Sequence, residues 1–60
     1  MTISVNITRQ KDSKDYNLRV IRRYIKTGVE EGLDILKPGE TTFSQSLWDD
    51  VEIVLREEKE

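Results

Sequence analysis

Residues 33–57 constrain the fold more than any other stretch, because they hold the only proline, the only tryptophan and the most regular apolar alternation of the chain. Pro38 removes a ladder donor and Gly39 accepts positive φ, so Leu36-Lys37-Pro38-Gly39-Glu40 predicts a type II turn that ends a strand over 31–37. Two registers compete for the hairpin that follows. A two-residue turn at Asp49-Asp50 places Phe43 across from Arg56 and Leu47 across from Glu52. A three-residue loop, Trp48-Asp49-Asp50, places Phe43 across from Leu55, Gln45 across from Ile53 and Leu47 across from Val51. The second register gathers the apolar residues on one face, and Asp tolerates the left-handed position such loops need. It predicts paired strands over 41–47 and 51–57. A helix over 44–58 is the rival, since Phe43, Leu47, Trp48, Val51, Val54 and Leu55 share a helical stripe and Ser46 with Asp49 mimics a capping box. Against it, Ile53 would face solvent, and the β-branched residues favour extended backbone.

A chain of this length buries only about 60% of the surface its unfolded form exposes, which predicts one domain over 1–60 with a marginal core. With no Cys and no His, neither a disulfide nor the usual structural zinc site is open to it. Self-association is the remaining supplement to so small a core, and a homo-oligomer or a protein partner is expected. The hydrophobic fraction of 35% is low, but it falls in periodic runs, so the chain reads as folded rather than disordered. No apolar run is long enough to span a bilayer or serve as a signal peptide, so a cytoplasmic protein without membrane partners is expected. Asn6-Ile7-Thr8 matches a glycosylation sequon, which means little without secretion.

Ile3, Val5 and Ile7 alternate with Thr2, Ser4, Asn6 and Thr8, the period of a half-buried strand over 2–8. Residues 9–15 carry no apolar side chain and read as a surface loop. Over 16–26, Tyr16, Leu18, Val20 and Tyr24 fall at even positions but Ile21 and Ile25 at odd ones, so a strand here needs a bulge near Val20-Ile21 or contacts on both faces. A helix over 13–27 is the alternative, with Ser13 as N-cap and Gly28 as stop. A loop at Thr27-Gly28-Val29 would set Arg22 opposite Asp34, Ile21 opposite Ile35 and Tyr24 over Gly32, where an aromatic covers the missing side chain. The resulting expectation is an all-β antiparallel sandwich or partly open barrel of about five strands, with α+β as the alternative. Its predicted core is Ile3, Val5, Ile7, Leu18, Val20, Ile21, Leu33, Ile35, Phe43, Leu47, Val51, Ile53 and Leu55.

Charge is unevenly placed. Residues 1–30 carry seven basic and three acidic side chains, residues 31–60 three basic and nine acidic. Either basic and acidic strands lie side by side, where opposite charges contribute roughly 0.2–1 kcal/mol per pair, or two surfaces of opposite sign meet different partners. Arg19, Arg22, Arg23 and Lys26 around Tyr24 form a candidate interaction surface, with nucleic acid the alternative partner and steep salt dependence its signature. The competing reading has their stems covering apolar surface and their heads paired with Glu30, Glu31 and Asp34. Trp48 is either an exposed anchor at a hairpin tip or a lid over its own core. Asp49, Asp50, Glu52, Glu57, Glu58 and Glu60 suggest a third reading, an acidic decoy for a basic partner. Catalytic chemistry has little to work with: His and Cys are absent, Ser44 and Ser46 have no base, and Asp49-Asp50 reads as a turn former rather than a metal pair. No catalytic residue, metal or cofactor is expected.

The order Leu36-Lys37-Pro38-Gly39-Glu40, Thr42-Phe43, Leu47-Trp48-Asp49-Asp50-Val51 and Val54-Leu55-Arg56-Glu57-Glu58 resembles small uncharacterised β-domain proteins encoded by bacteriophages and prophages. The likeness covers roughly the last 25 residues. It implies a compact β domain with a structural or accessory role, virion-associated or in the cytoplasm of a bacterial or virus-infected host cell, and it carries over no active site.

Overall fold

The computed structural model describes residues 1–59, which form five strands and no helix: β1 (Ile3–Thr8), β2 (Asn17–Tyr24), β3 (Glu30–Leu36), β4 (Thr41–Leu47) and β5 (Val51–Glu58). The helical alternatives over 13–27 and 44–58 are therefore not realised. All pairing is antiparallel, in a two-stranded sheet β1-β4 and a three-stranded sheet β3-β2-β5 that together make an open sandwich rather than a closed barrel.

Charge sorts the strands. β2 carries three arginines and lies between β3 and β5, which carry most of the strand acids. β1 and β4 contain no charged residue at all and pair with each other. The side-by-side reading of the charge asymmetry is thus the one the fold adopts. The predicted β4-β5 hairpin is not: pairing those strands would set the acids of β5 against a strand without a cation, whereas beside β2 they meet guanidinium groups. The Trp48-Asp49-Asp50 connection does form where expected, closed by Val51 N–H donating to the carbonyl of Trp48 at 3.1 Å. It leads from one sheet to the other instead of closing a hairpin.

The Pro38 turn behaves the same way. Glu40 N–H donates to the Lys37 carbonyl at 3.0 Å and Gly39 sits at φ 85°, the type II geometry that Pro-Gly dictates, and the chain again changes sheets. Among the described residues the only hairpin between neighbours in sequence is β2-β3. Tyr24 N–H donates to the Val29 carbonyl, so the loop is Ile25 to Gly28, one residue longer than predicted and displaced toward the N-terminus, with Gly28 at φ 74°. Arg22 consequently faces Glu31 and Ile21 faces Gly32, while Val20 faces Asp34, leaving Leu33 as the extra residue of a bulge. The irregularity expected near Val20-Ile21 exists, but the additional residue belongs to β3. Tyr24 does not cover Gly32; the Arg19 guanidinium lies there.

A second bulge interrupts β4. Val5 faces Gln45 and Ile7 faces Thr42, so Phe43 and Ser44 together oppose Asn6. Ser44 takes a left-handed φ of 57°, and its N–H is held by Asn6 Oδ1 at 2.9 Å. The bulge resets the alternation: Thr42, Gln45 and Leu47 share the inner face, as the Gln45–Thr42 side-chain bond of 2.7 Å requires, and Phe43 is turned out. Phe43 is 68% exposed instead of lying in the core. Ile3, Ile35 and Leu55, also predicted inside, are exposed as well. Ile35 is on the outer face of the three-stranded sheet, opposite Arg19, and Leu55 lies on an edge strand.

The buried apolar core among the described residues is small: Val20, Ile21, Leu36 and Val51. The molecule measures 36 × 21 × 11 Å with a radius of gyration of 12.1 Å. A compact chain of this length would have about 10.4 Å. Its accessible surface is 4436 Å², against about 4,100 Å² expected for a monomer of this mass.

Candidate interaction surface

The six residues singled out from sequence do not form one surface. Alternation puts Arg22 and Tyr24 on the inner face of β2, toward the β1-β4 sheet, and Arg19 and Arg23 on the outer face. Trp48, at the exit of β4, folds back over the inner pair. The Arg22 guanidinium lies 5.0 Å from the Trp48 ring centroid, and the Tyr24 ring meets it edge-on at 6.2 Å and 63°. Trp48 is half-buried in this stack rather than projecting from a tip. Arg22 also donates to Glu31 at 2.7 Å and to the Ser46 carbonyl at 3.3 Å. Its Nε is buried without a hydrogen-bond partner.

On the outer face the cations are matched one to one. Arg19 forms a two-pronged pair with Glu58, Arg23 pairs with Glu52, and Arg56 reaches from β5 across β2 to Glu30 at 3.1 Å. Arg19 and Arg56 stand directly opposite each other in the ladder, so each turns away to a carboxylate instead of its neighbour. Ile21 is buried on this same face at the level the Arg56–Glu30 pair crosses, its cover supplied by arginine stems. Lys26, in the β2-β3 loop, pairs with Asp50 at 3.5 Å. Bonds from these arginines hold the carboxyls of Glu31, Glu30 and Glu58 below the usual carboxylate range, with the arginine charge adding to the effect. All five cations and aromatics of β2 and its loop therefore have partners within the chain, and so do Glu52, Glu58 and Asp50 of the acidic set; Glu60 lies outside the described residues.

Sequence reasoning missed Arg9. It is buried, at 9% exposure, directly after β1. Nε and one terminal nitrogen hold Asp12 at 3.2 and 2.9 Å, and the remaining N–H groups reach the carbonyls of Lys14, Tyr16 and Leu36. All five guanidinium donors are engaged, which makes a surface loop into a structured clasp between β1, β2 and β3. Asp12 also accepts from Lys14 N–H, and the Arg9 bond keeps its carboxyl well below its ordinary range. The only sequence signal was the Arg9-x-x-Asp12 spacing immediately after a strand.

An open sandwich has sheet edges, and three of the four are blunted. β3 carries its bulge and the exposed acids Glu30, Glu31 and Asp34. β5 carries Glu52, Arg56, Glu57 and Glu58. β4 is bent by the Ser44 bulge and receives the Arg22 bond at Ser46. β1 has no charge, no proline, no glycine and no bulged residue. Such an edge is the kind that accepts another strand.

Among the described residues no group of three or more acidic, His or Cys side chains is placed to hold a metal ion, and no helix is long and apolar enough to cross a membrane. No family model matches this chain, and neither curated proteins nor solved structures match it.

Proposed function

We propose that the chain is a non-enzymatic structural or protein-interaction module that associates with copies of itself. The observation that carries this reading is the unfinished burial. Among the described residues only four apolar side chains are buried, while Ile3, Phe43 and Leu55 stand about half or more exposed on a molecule larger in surface and radius than its mass requires. A two-stranded sheet is marginal alone and gains from further strands. The resemblance of residues 36–58 to small phage and prophage β domains fits an accessory or virion-associated role in an infected or lysogenic cell. The nucleic-acid alternative has less to support it, because each arginine of β2 is already matched to a carboxylate or an aromatic ring.

Light scattering over a concentration series tests the proposal. A mass that rises from one chain toward two or more supports it; a constant single-chain mass up to millimolar concentration overturns it.

A further inference from the structure

We infer that the open edge of β1 is the assembly surface, and that its occupant is β1 of a second copy, paired antiparallel about a two-fold axis. The inference rests on the proposed self-association and specifies where it happens. Both the N–H and the C=O of Arg9 point toward the β4 side, bonding Glu40 and Gly39. By alternation along a strand without a bulged residue, the odd positions of β1 face β4 and the main-chain groups of Ser4, Asn6 and Thr8 face outward. The outward set has no strand beside it in the sheet order.

Placement of β1 gives the edge a second reason to be filled. β4 runs obliquely from the Leu36 end of β3 to the Val51 end of β5, and Arg22, paired with Glu31, reaches its free flank from the β3 side. β1 therefore lies on the other flank, where Arg9 and Glu57 border one cleft. Leu55 is on the inner face of β5 in this half, opposite the buried Val20, yet 51% exposed. The upper layer is one strand short of covering it. A strand added beside β1 brings its own Ile3, Val5 and Ile7 over that gap, because side-by-side antiparallel pairing keeps equivalent faces on the same side.

The occupant follows from charge. Antiparallel self-pairing across a two-fold sets residue i against residue j and j against i, so a strand whose charges are all or mostly of one sign meets like charge. The acids of β3 and β5 penalise such pairing, and the chain as a whole is net −2. β1 and β4 carry no charge, and of the two only β1 has neither a bulged residue nor a side-chain bond at its free edge, so β1 is the edge that meets its copy without repulsion or obstruction. The product is a continuous β4-β1-β1-β4 sheet over two three-stranded sheets.

Two substitutions and a crosslink test this. Ser4→Pro removes an outward N–H without breaking a bond to β4, and Ser4→Lys charges the edge at an exposed position. Each is expected to weaken the dimer at least tenfold in sedimentation while circular dichroism retains the β spectrum. The chain has no Cys, so single cysteines at Ser4, Asn6 and Thr8 report alone; at least one is expected to form a disulfide dimer under mild oxidation, and Asp34→Cys on the β3 edge is not. A dimer indifferent to both Ser4 variants, or crosslinked through position 34 instead of β1, overturns this inference while leaving self-association standing. A wild-type chain that stays monomeric overturns both.

Discussion

The two sheets solve the problem of a small core in opposite ways. In β3-β2-β5, charged side chains act as cover: arginine stems shield Ile21, their heads meet Glu30, Glu52 and Glu58, and charged edges deter a fourth strand. In β1-β4 there is no charge, little side-chain cover, one protected edge and one bare edge. The first sheet is covered and edged by charge within the chain; the second leaves the β1 edge open. Their contrast teaches that in a domain this small, long charged side chains can substitute for a second layer, and that a neutral sheet without them keeps an unprotected edge.

The contrast breaks first at the core. Leu36, buried on the inner face, is expected to lose about 2–5 kcal/mol on substitution by Ala. Marginal domains of this size have little more than that in total, so thermal melting should show little folded protein at 25 °C. Phe43→Ser in the other sheet should change stability by no more than about 0.5 kcal/mol, since the bulge has already turned the ring to solvent. A large loss at Phe43 would show that the neutral sheet holds its own core. Next comes Arg9→Ala, which strands the Leu36 and Tyr16 carbonyls; at about 1–3 kcal/mol for such a loss, the melting temperature should fall by roughly 4–8 °C per kcal/mol. At Ser44, held at φ 57°, Val should cost about 1–2 kcal/mol and Gly should gain about 0.5 kcal/mol, both read from denaturant midpoints.

Acid gives the smallest effect. Asp12, Glu30, Glu31 and Glu58 have carboxyls depressed below ordinary values of 3.8 for Asp and 4.5 for Glu. A depressed group stabilises the fold above its unfolded value and loses that contribution as pH falls through its folded value. Stability should be level from neutral pH to about 5 and decline below 4.5. Added salt should flatten the part of the decline due to the exposed pairs on β2, while the buried Arg9 end of the Arg9–Asp12 pair is screened less.

Local patterns in the sequence carried the strands far. Alternation located all five to within two residues, and Pro38-Gly39 and Trp48-Asp49-Asp50 marked the turns that form. What alternation does not encode is which strand lies beside which. The sheet change at both turns follows from the charge match of β5 with β2, a non-local preference that hairpin geometry ignores. The reset at Ser44 was equally hidden, because serine rarely adopts positive φ and nothing in Thr42-Phe43-Ser44-Gln45 marks it. Of the candidate site, Arg22, Tyr24 and Trp48 do meet, but as an internal stack. The open edge of β1 was not legible in the sequence because what distinguishes it is the absence of charge, bulge and a second neighbouring strand.

Amide hydrogen exchange at two concentrations tests that edge most directly. With β1 paired to its copy, the amides of Ser4, Asn6 and Thr8 should exchange freely in dilute solution and gain protection as dimer accumulates, while those of Val20 and Ile21 in β2 stay protected throughout. Outward amides of β1 that remain unprotected in a solution shown to be dimeric would contradict the account.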